Sequence, residues 1–273
     1  MRTIQNYPEN GFVFYHIKTD NPIQNYFEMH VHDYYELYYF ISGKGVFHIE
    51  GNDYPLKHGD ILFMNSNESH YIELDTSVPY ERCYFHFKRD FIEKIDSNGV
   101  LLNFYEVRAP GKYNLLRKNN FEDNHYLYLL NNIIETPPEN EIQIITSFYS
   151  LLNEIRMAFS KSSVRTELDE DAQTNKIVNY ILDNLESPIT LDDICQKFFL
   201  SKSHLCKLFK NAVGDTVWNY ITIKRLFMAK QLIESGMIPT EVYTKCGFTD
   251  YSVFYRRYKK YFNTAPSDIK KHI

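Results

Sequence analysis

Ser201-Lys202-Ser203-His204-Leu205-Cys206-Lys207-Leu208-Phe209-Lys210 is the stretch that decides how the C-terminal part of this chain folds. Ser201 is a good helix N-cap, and Leu205, Leu208, Phe209 and Ala212 recur at helical spacing on one face. The opposite face carries Ser203, His204, Lys207, Lys210 and Asn211, and Gly214 suits the left-handed position that closes a helix. Just upstream, Thr190 with Asp193 three residues on reads as the start of a shorter helix through Leu191, Ile194 and Cys195. That helix ends near Phe198-Phe199-Leu200. A short helix, a tight turn and a second helix with a polar, basic outer face make a helix-turn-helix.

Further along, the pattern recurs about 47 residues later, within the range of repeat periods. Thr240 is expected to cap a short helix, Gly247-Phe248 to make the turn, and a helix to follow from about Asp250. Val253, Phe254 and Tyr258 are expected to face inward, and Tyr251, Ser252, Tyr255, Arg256 and Lys259 outward. Between the two units, Thr216 to Glu234 reads as one long helix with Ile221, Leu226, Ala229 and Leu232 on its buried side. Two recognition helices on a stiff connector can enter successive major grooves of DNA.

These residues resemble the DNA-binding domain of the AraC/XylS family of transcription regulators, over Thr190 to Lys270. The matching elements are Leu191-x-x-Ile194-Cys195, Ser201-x-Ser203-x-Leu205-x-x-x-Phe209-Lys210, Arg225-Leu226-x-x-Ala229, Gly247-Phe248-x-Asp250, Phe254-x-x-x-Tyr258-Lys259-Lys260 and Asn263-Thr264-Ala265-Pro266-Ser267. Cys195 and Tyr243 stand where the family usually has a small Ala, and Asn263 where Gly is usual; Tyr243 is bulky for a tight position. The resemblance implies base-reading roles for Ser203, Cys206 and Lys207 in the first unit, and for Tyr251, Ser252, Tyr255 and Arg256 in the second. Arg and Lys donate to guanine O6/N7, while hydroxyls reach base edges or phosphates. Lys202, Lys210, Lys259 and Lys260 suit phosphate contacts, and each equally suits an ordinary solvated helix face.

The N-terminal half has a different period. Residues 1 to about 90 alternate as strands, most clearly in Glu36-Leu37-Tyr38-Tyr39-Phe40-Ile41. Turn signals recur at Ser42-Gly43-Lys44-Gly45, Glu50-Gly51-Asn52-Asp53 and His58-Gly59-Asp60, which favours a small barrel or sandwich. From Asn119 the period becomes helical, with Phe121, Tyr126, Leu129, Leu130, Ile133 and Ile134 on one face and Pro137-Pro138 as the stop. A second helix is expected from about Glu139 to Ser160, with Ile142, Ile145, Phe148, Leu152, Ile155 and Phe159 as its stripe. The pair either caps the barrel or forms a dimer seam.

His30-x-His32-x-x-x-Glu36 followed by Gly43 resembles the first cupin motif, and Gly59-Asp60 with His70 the second, although Asn65 and Asn67 replace its usual Pro and Gly. The resemblance implies a small antiparallel β-barrel. It also implies that His30, His32, Glu36 and His70 converge inside it, a 3-His-1-carboxylate set suited in metal cupins to Fe, Mn, Zn or Ni. Sensory barrels of regulators generally take organic effectors instead, so the expectation is no metal and no cofactor, with the metal set as the alternative. By resemblance to sugar-sensing members, Arg82, Tyr84 and His86 line the cavity, while Cys83, Phe85 and Phe87 point the other way. Tyr38 shares the inward face with Glu36. The expected effector residues are thus His30, His32, Glu36, Tyr38, His70, Arg82, Tyr84 and His86. They suit a carbohydrate-sized polar ligand, and equally a barrel filled by satisfied side chains.

Composition agrees with this division of labour. Of the 273 residues, those from Ala172 onward hold 15 Lys and Arg against 9 Asp and Glu, while residues 1–171 hold 15 against 26. A basic half suits a polyanion. The 23 Tyr and 20 Phe suit a Tyr-rich β-core. Cys83, Cys195, Cys206 and Cys246 form no C-x-x-C pair, and Met1 to His16 has no basic start followed by an apolar run. The chain is therefore expected to be α+β and two-domain: a cupin-like sensor at 1–118, a helical pair at 119–160, a linker at 161–174 and an all-α double helix-turn-helix domain at 175–273. The expected function is a cytoplasmic, effector-controlled transcription activator, not an enzyme. Its expected partners are double-stranded DNA, a small-molecule effector such as a carbohydrate, RNA polymerase and a second copy in a homodimer, with no membrane. The alternative is a barrel that binds a metal or a protein partner.

Overall fold

A computed structural model of the chain describes residues 2–7, 11–24, 28–161 and 173–268. The chain divides into two compact units, Met1–Asp169 and Glu170–Ile273. Nearly all of the expected linker lies outside the described residues.

The first unit is built on two antiparallel sheets. Strands β1 (Arg2–Tyr7), β2 (Phe12–Thr19), β3 (Tyr35–Ser42), β6 (Ile61–Met64), β8 (Tyr80–Phe87) and β9 (Leu115–Leu116) form one, in the order β1-β2-β8-β3-β6-β9. The other has β4 (Gly45–Ile49) between β5 (Asn52–Pro55) and β7 (His70–Leu74). The larger sheet is covered on both faces, which is why Tyr35 to Phe40 are buried without a break. Leu37, Tyr39, Phe85 and Phe87 pack outward against helices, whereas Tyr38, Phe40, Phe47, Ile72 and Tyr80 fill the space between the sheets. Alternation along β3 and β8 thus sends one row to each core.

The helical layer consists of α1 (Arg89–Glu93), α2 (Asn103–Glu106), α3 (His125–Glu135) and α4 (Glu141–Lys161). Phe148, Leu151, Leu152 and Ile155 of α4 lie in the core under the large sheet, so the helical pair caps the barrel. Two expected stripe positions fall elsewhere. Phe121 precedes α3 and stacks on Tyr126, ring centroids 3.8 Å apart, instead of beginning the helix. Ile142 is 81% exposed, and Ile144 takes the buried place, because the α4 face that meets the sheet is rotated from the stripe by one neighbouring row.

A buried ion pair absent from the sequence reading ties the loop after α2 to the barrel. Arg108 grips Glu68 through both guanidinium arms, at 2.6 and 2.5 Å. The same carboxylate accepts from the Gly111 and Asn65 backbone amides and from Asn114 Nδ2. Burial pushes the Glu68 carboxyl up, but Arg108 and these hydrogen bonds outweigh it and hold it below its usual range.

The second unit is all helical: α5 (Gln173–Asp183), α6 (Leu191–Phe198), α7 (Lys202–Val213), α8 (Val217–Glu234), α9 (Pro239–Lys245) and α10 (Tyr251–Phe262). Ile177, Ile194, Leu205, Phe209 and Ile221 form one core, and Leu226, Ala229, Val242, Phe254 and Tyr258 another. Helix α8 contributes to both, so it joins the two helix-turn-helix units. Thr240 is not a cap: Pro239 occupies the first helical position after Ile238, where its missing N–H costs nothing. Val253 is exposed, and Phe254 and Tyr258 alone carry the buried side of α10. The bulky Tyr243 is half-buried with its ring edge-on to Tyr251, 5.5 Å between centroids, so it packs against the first turn of α10.

Candidate effector cavity and DNA-reading helices

The cavity between the sheets follows from strand register. Glu36 pairs with His86, Tyr38 with Tyr84 and Phe40 with Arg82 across β3 and β8, which stacks three rungs on the inner face. The resulting cavity has a volume of about 210 Å³ and is lined by His30, Glu36, Tyr38, Phe47, His70, Tyr71, Ile72, Tyr80, Arg82, Tyr84 and His86. Seven of the eight expected effector residues therefore surround one space. His32 is the exception; it is buried behind Glu36 and does not line the cavity.

Each end of the cavity has its own chemistry. At one end the Arg82 guanidinium lies 4.5 Å from the Tyr80 ring centre and 5.8 Å from that of Tyr84. The Tyr38 and Tyr80 hydroxyls share a 2.5 Å hydrogen bond, and burial raises the pKa of both, so they remain neutral donors and acceptors. Tyr80 continues the period-two row of Arg82, Tyr84 and His86, and that alternation could have revealed it. Phe47, Tyr71 and Ile72 come from the small sheet, and no local pattern announces them.

At the other end, Glu36 Oε2 lies 3.0 Å from His32 Nε2, 2.9 Å from His86 Nε2 and 3.7 Å from His70 Nε2. Burial pushes the Glu36 carboxyl up, yet the His86 ring and the surrounding imidazole hydrogen bonds outweigh it and hold it well below its usual range. Burial pulls His32 down from its usual value, with Glu36 opposing. The second nitrogens meet backbone carbonyls: His30 Nδ1 at Glu28 O, His32 Nδ1 at Tyr34 O and His70 Nδ1 at Glu68 O, at 2.9, 3.1 and 2.9 Å. Among the described residues, ligand atoms of His30, His32 and His70 lie within 4.8 Å of one another, as do those of His32, Glu36 and His86. The donor set therefore fits the cation that the cupin-like motif implies.

In the second unit, local capping starts the helices α6, α7 and α10. Thr190 and Asp193 form a reciprocal capping box on α6, Ser201 Oγ accepts from the His204 amide to start α7, and Asp250 accepts from the Val253 amide to start α10. On α7, Lys202, Ser203, Cys206, Lys207 and Lys210 are all exposed. On α10, Ser252, Arg256, Lys259 and Lys260 are exposed, while Tyr251 and Tyr255 are half-buried. Arg256 Nε donates to Ser252 O at 3.3 Å, and Lys202 pairs with Asp192 at 2.8 Å; both are surface contacts that a phosphate or base can replace.

In the sequence Arg225 stands out only as the first residue of the Arg225-Leu226-x-x-Ala229 match. Its guanidinium is a buried fork, donating to Leu185 O, Gly247 O and Ser187 O at 2.9, 2.8 and 2.6 Å. It binds the segment before the first unit to the turn of the second.

A ligand-sized barrel cavity in one unit and two helix-turn-helix elements in the other define the class: a ligand-responsive, DNA-binding regulator. Residues 12–117 match the AraC-like ligand binding domain, and residues 194–272 match a helix-turn-helix domain. The chain belongs to the AraC family of transcription regulators. It is 23% identical over 247 residues to the Msm operon regulatory protein of Streptococcus mutans, covering 89% of this chain and 86% of that one. The transcriptional activator RhaS of Escherichia coli is 23% identical over 247 residues, 90% of this chain and 88% of its own. The lactose operon transcription activator of Staphylococcus xylosus is 24% identical over 242 residues, 86% of this chain and 83% of its own. These relatives are transcription regulators, and no helix among the described residues is long and apolar enough to cross a membrane.

Proposed function

We propose that this chain activates transcription in the cytoplasm, without catalysing a reaction, when a sugar occupies the cavity between its two sheets. The observation that carries the reading is the pairing of that cavity with two helices, α7 and α10, whose outer faces are exposed and basic. At about 210 Å³ the cavity is smaller than the roughly 300–1,000 Å³ of drug-sized sites, which suits a small polar molecule. Tyrosine faces with Arg82, Glu36 and imidazoles supply the stacking and hydrogen bonding that a sugar's hydroxyls need. The lactose operon activator among the relatives points the same way.

In this reading residues 1–118 sense the effector and residues 175–273 read double-stranded DNA, with 161–174 between them as linker. Lys207 and Arg256 read bases together with Ser203, Cys206, Tyr251, Ser252 and Tyr255, and Lys202, Lys210, Lys259 and Lys260 hold phosphates. The helical pair at 119–160 joins two copies, with the exposed Ile142 and Tyr128 as the apolar contacts. RNA polymerase is the partner that activation requires. Effector binding shifts an existing balance between two arrangements on DNA, which demands unequal affinity for the two.

The test is selection of random DNA by the full chain, followed by binding of the selected site at two salt concentrations and with a panel of sugars. The expected site has two parts about one helical turn apart, with affinity falling roughly a thousandfold or more between about 50 and 200 mM salt. A sugar that shifts this binding identifies the effector, and Arg82→Ala with Tyr84→Ala is expected to abolish the shift. No selected sequence from folded protein sinks the DNA reading. DNA binding that no sugar alters sinks the sugar reading.

A further inference from the structure

Arginine stays protonated in proteins, and Arg82 places that charge in the wall of the cavity among uncharged neighbours. On the inner face of the large sheet it lies opposite Phe40 of β3 and Ile17 of β2, and Tyr80 and Tyr84 flank it along β8. Phe47 and Ile72 of the small sheet line the same space. The Tyr80 and Tyr84 rings lie 4.5 and 5.8 Å from the guanidinium and hold it in place, but a ring face carries no net charge to balance it. Among the described residues that line the cavity, Glu36 is the one carboxylate, and its Oε2 is taken up by His32, His70 and His86. Strand register puts Glu36 two rungs from Arg82, four residues along each strand or roughly 13 Å, with the Tyr38–Tyr84 rung between them. A cation set in such a wall costs free energy that an anion arriving with the ligand offsets.

We propose that the effector is a monosaccharide bearing a carboxylate, of the uronic-acid class, with that carboxylate on the Arg82 guanidinium and its ring hydroxyls toward Glu36 and His86. The planar guanidinium fork matches the two oxygens of a carboxylate. Beside it stands the Tyr38–Tyr80 hydroxyl pair, near enough for the Arg82 charge to oppose the upward pull of burial on both phenols. A hydroxyl that accepts in that pair keeps its own proton to donate, which adds a neutral donor at the anionic end. At the other end the Glu36 carboxylate repels a second anion and accepts from sugar hydroxyls, so a ligand with one charged end has one orientation. The volume of about 210 Å³ suits one sugar ring with its acidic group. The assignment rests on the reading of the cavity as a sugar site and specifies which sugars it takes.

The experiment is calorimetric titration of the full chain with galacturonate and glucuronate, with galactose and glucose, and with glucose 6-phosphate. At least one uronate is expected to bind roughly tenfold or more tightly than the neutral sugar of the same configuration. Arg82→Gln removes the charge and is expected to abolish that preference. Arg82→Lys keeps the charge without the fork and is expected to retain only part of it. The preference is a ratio within each variant, so a general loosening of the cavity does not imitate its loss, and thermal unfolding shows that each variant is folded. A neutral sugar that binds as tightly as its uronate overturns the carboxylate assignment and leaves the sugar reading standing. A preference that survives in Arg82→Gln overturns it as well. Tighter binding of glucose 6-phosphate than of either uronate overturns it in favour of a phosphate. Failure of every sugar, acidic or neutral, sinks the sugar reading and the assignment with it.

Discussion

Both helices of the first helix-turn-helix unit start on side-chain caps, whereas in the second only α10 does, and the turn is closed by a buried guanidinium from another helix. In the first, Thr190 and Asp193 exchange hydrogen bonds at the start of α6, and Ser201 caps α7 three residues after that helix ends. Between them Phe199 takes a left-handed backbone, φ 55°, with its side chain 95% exposed. In the second unit Ile238 gives α9 no side-chain cap, and the turn rests on Gly247, whose carbonyl receives Arg225. A Cβ at Gly247 would lie 2.5 Å from Leu185 O and 2.7 Å from the Arg225 guanidinium, at a φ of 71°. Both recognition helices thus start on a local cap, Ser201 and Asp250, but the turn of the second unit also depends on a contact from Arg225, 22 positions away. Insults to the second should spread further than insults to the first.

Substituting the turn glycine breaks the comparison most forcefully. Gly247→Ala is expected to destabilise the second unit by roughly 3 kcal/mol, from a left-handed alanine plus overpacking against backbone. Because α8 joins the two cores, thermal unfolding should show a lower midpoint for the whole DNA-binding unit. An unchanged midpoint would mean that the Arg225 fork is not the closure. Next in size are the reading residues, which test function without touching either turn. Arg256→Ala and Lys207→Ala are each expected to cost roughly ten- to a hundredfold in affinity for the selected site, relaxing specificity in different halves of it. Equal relaxation of both halves would contradict a one-helix-per-half arrangement.

Smaller effects sharpen the contrast. Ser201→Ala removes the α7 cap and should cost about 1 kcal/mol, with the second unit's half-site still read normally. Phe199→Gly should act in the opposite direction. It relieves about 1–2 kcal/mol of left-handed strain and gives back about 0.5–1 kcal/mol in unfolded-chain entropy, for a slightly raised midpoint. A lowered midpoint would show that the exposed ring makes a stabilising contact.

Local periodicity revealed α7, the caps at Thr190 and Ser201, the starts of α8 and α10 near Thr216 and Asp250, the alternation of β3 and β8, and the Pro stop after α3, but it misplaced a cap at Thr240. Each rests on neighbours a few residues apart, which is the range over which a sequence pattern has physical force. Errors fell where a face was chosen between adjacent rows, as with Ile142 and Val253. Helical spacing fixes an apolar stripe only to within one row, and the partner surface selects the row. In the cavity, Glu36 and Tyr38 were legible from alternation and the cupin-like motif, and Arg82, Tyr84 and His86 from the resemblance to sugar-sensing regulators. The contributions of Phe47, Tyr71 and Ile72 were not, since they arrive from the opposite sheet.

By itself, then, the sequence determined the two kinds of unit, the order of helices and strands, and which residues offer charge, hydroxyl or imidazole, because these depend on composition and short-range spacing. Only the tertiary structure decided that His86 joins Glu36 and the expected histidines at one end of the barrel and that Arg82 stands against tyrosine rings at the other. It alone decided too that Glu68 binds Arg108 in the core, and that Arg225 holds Gly247. Each of these joins groups distant along the chain, and strand register or helix packing sets their separation.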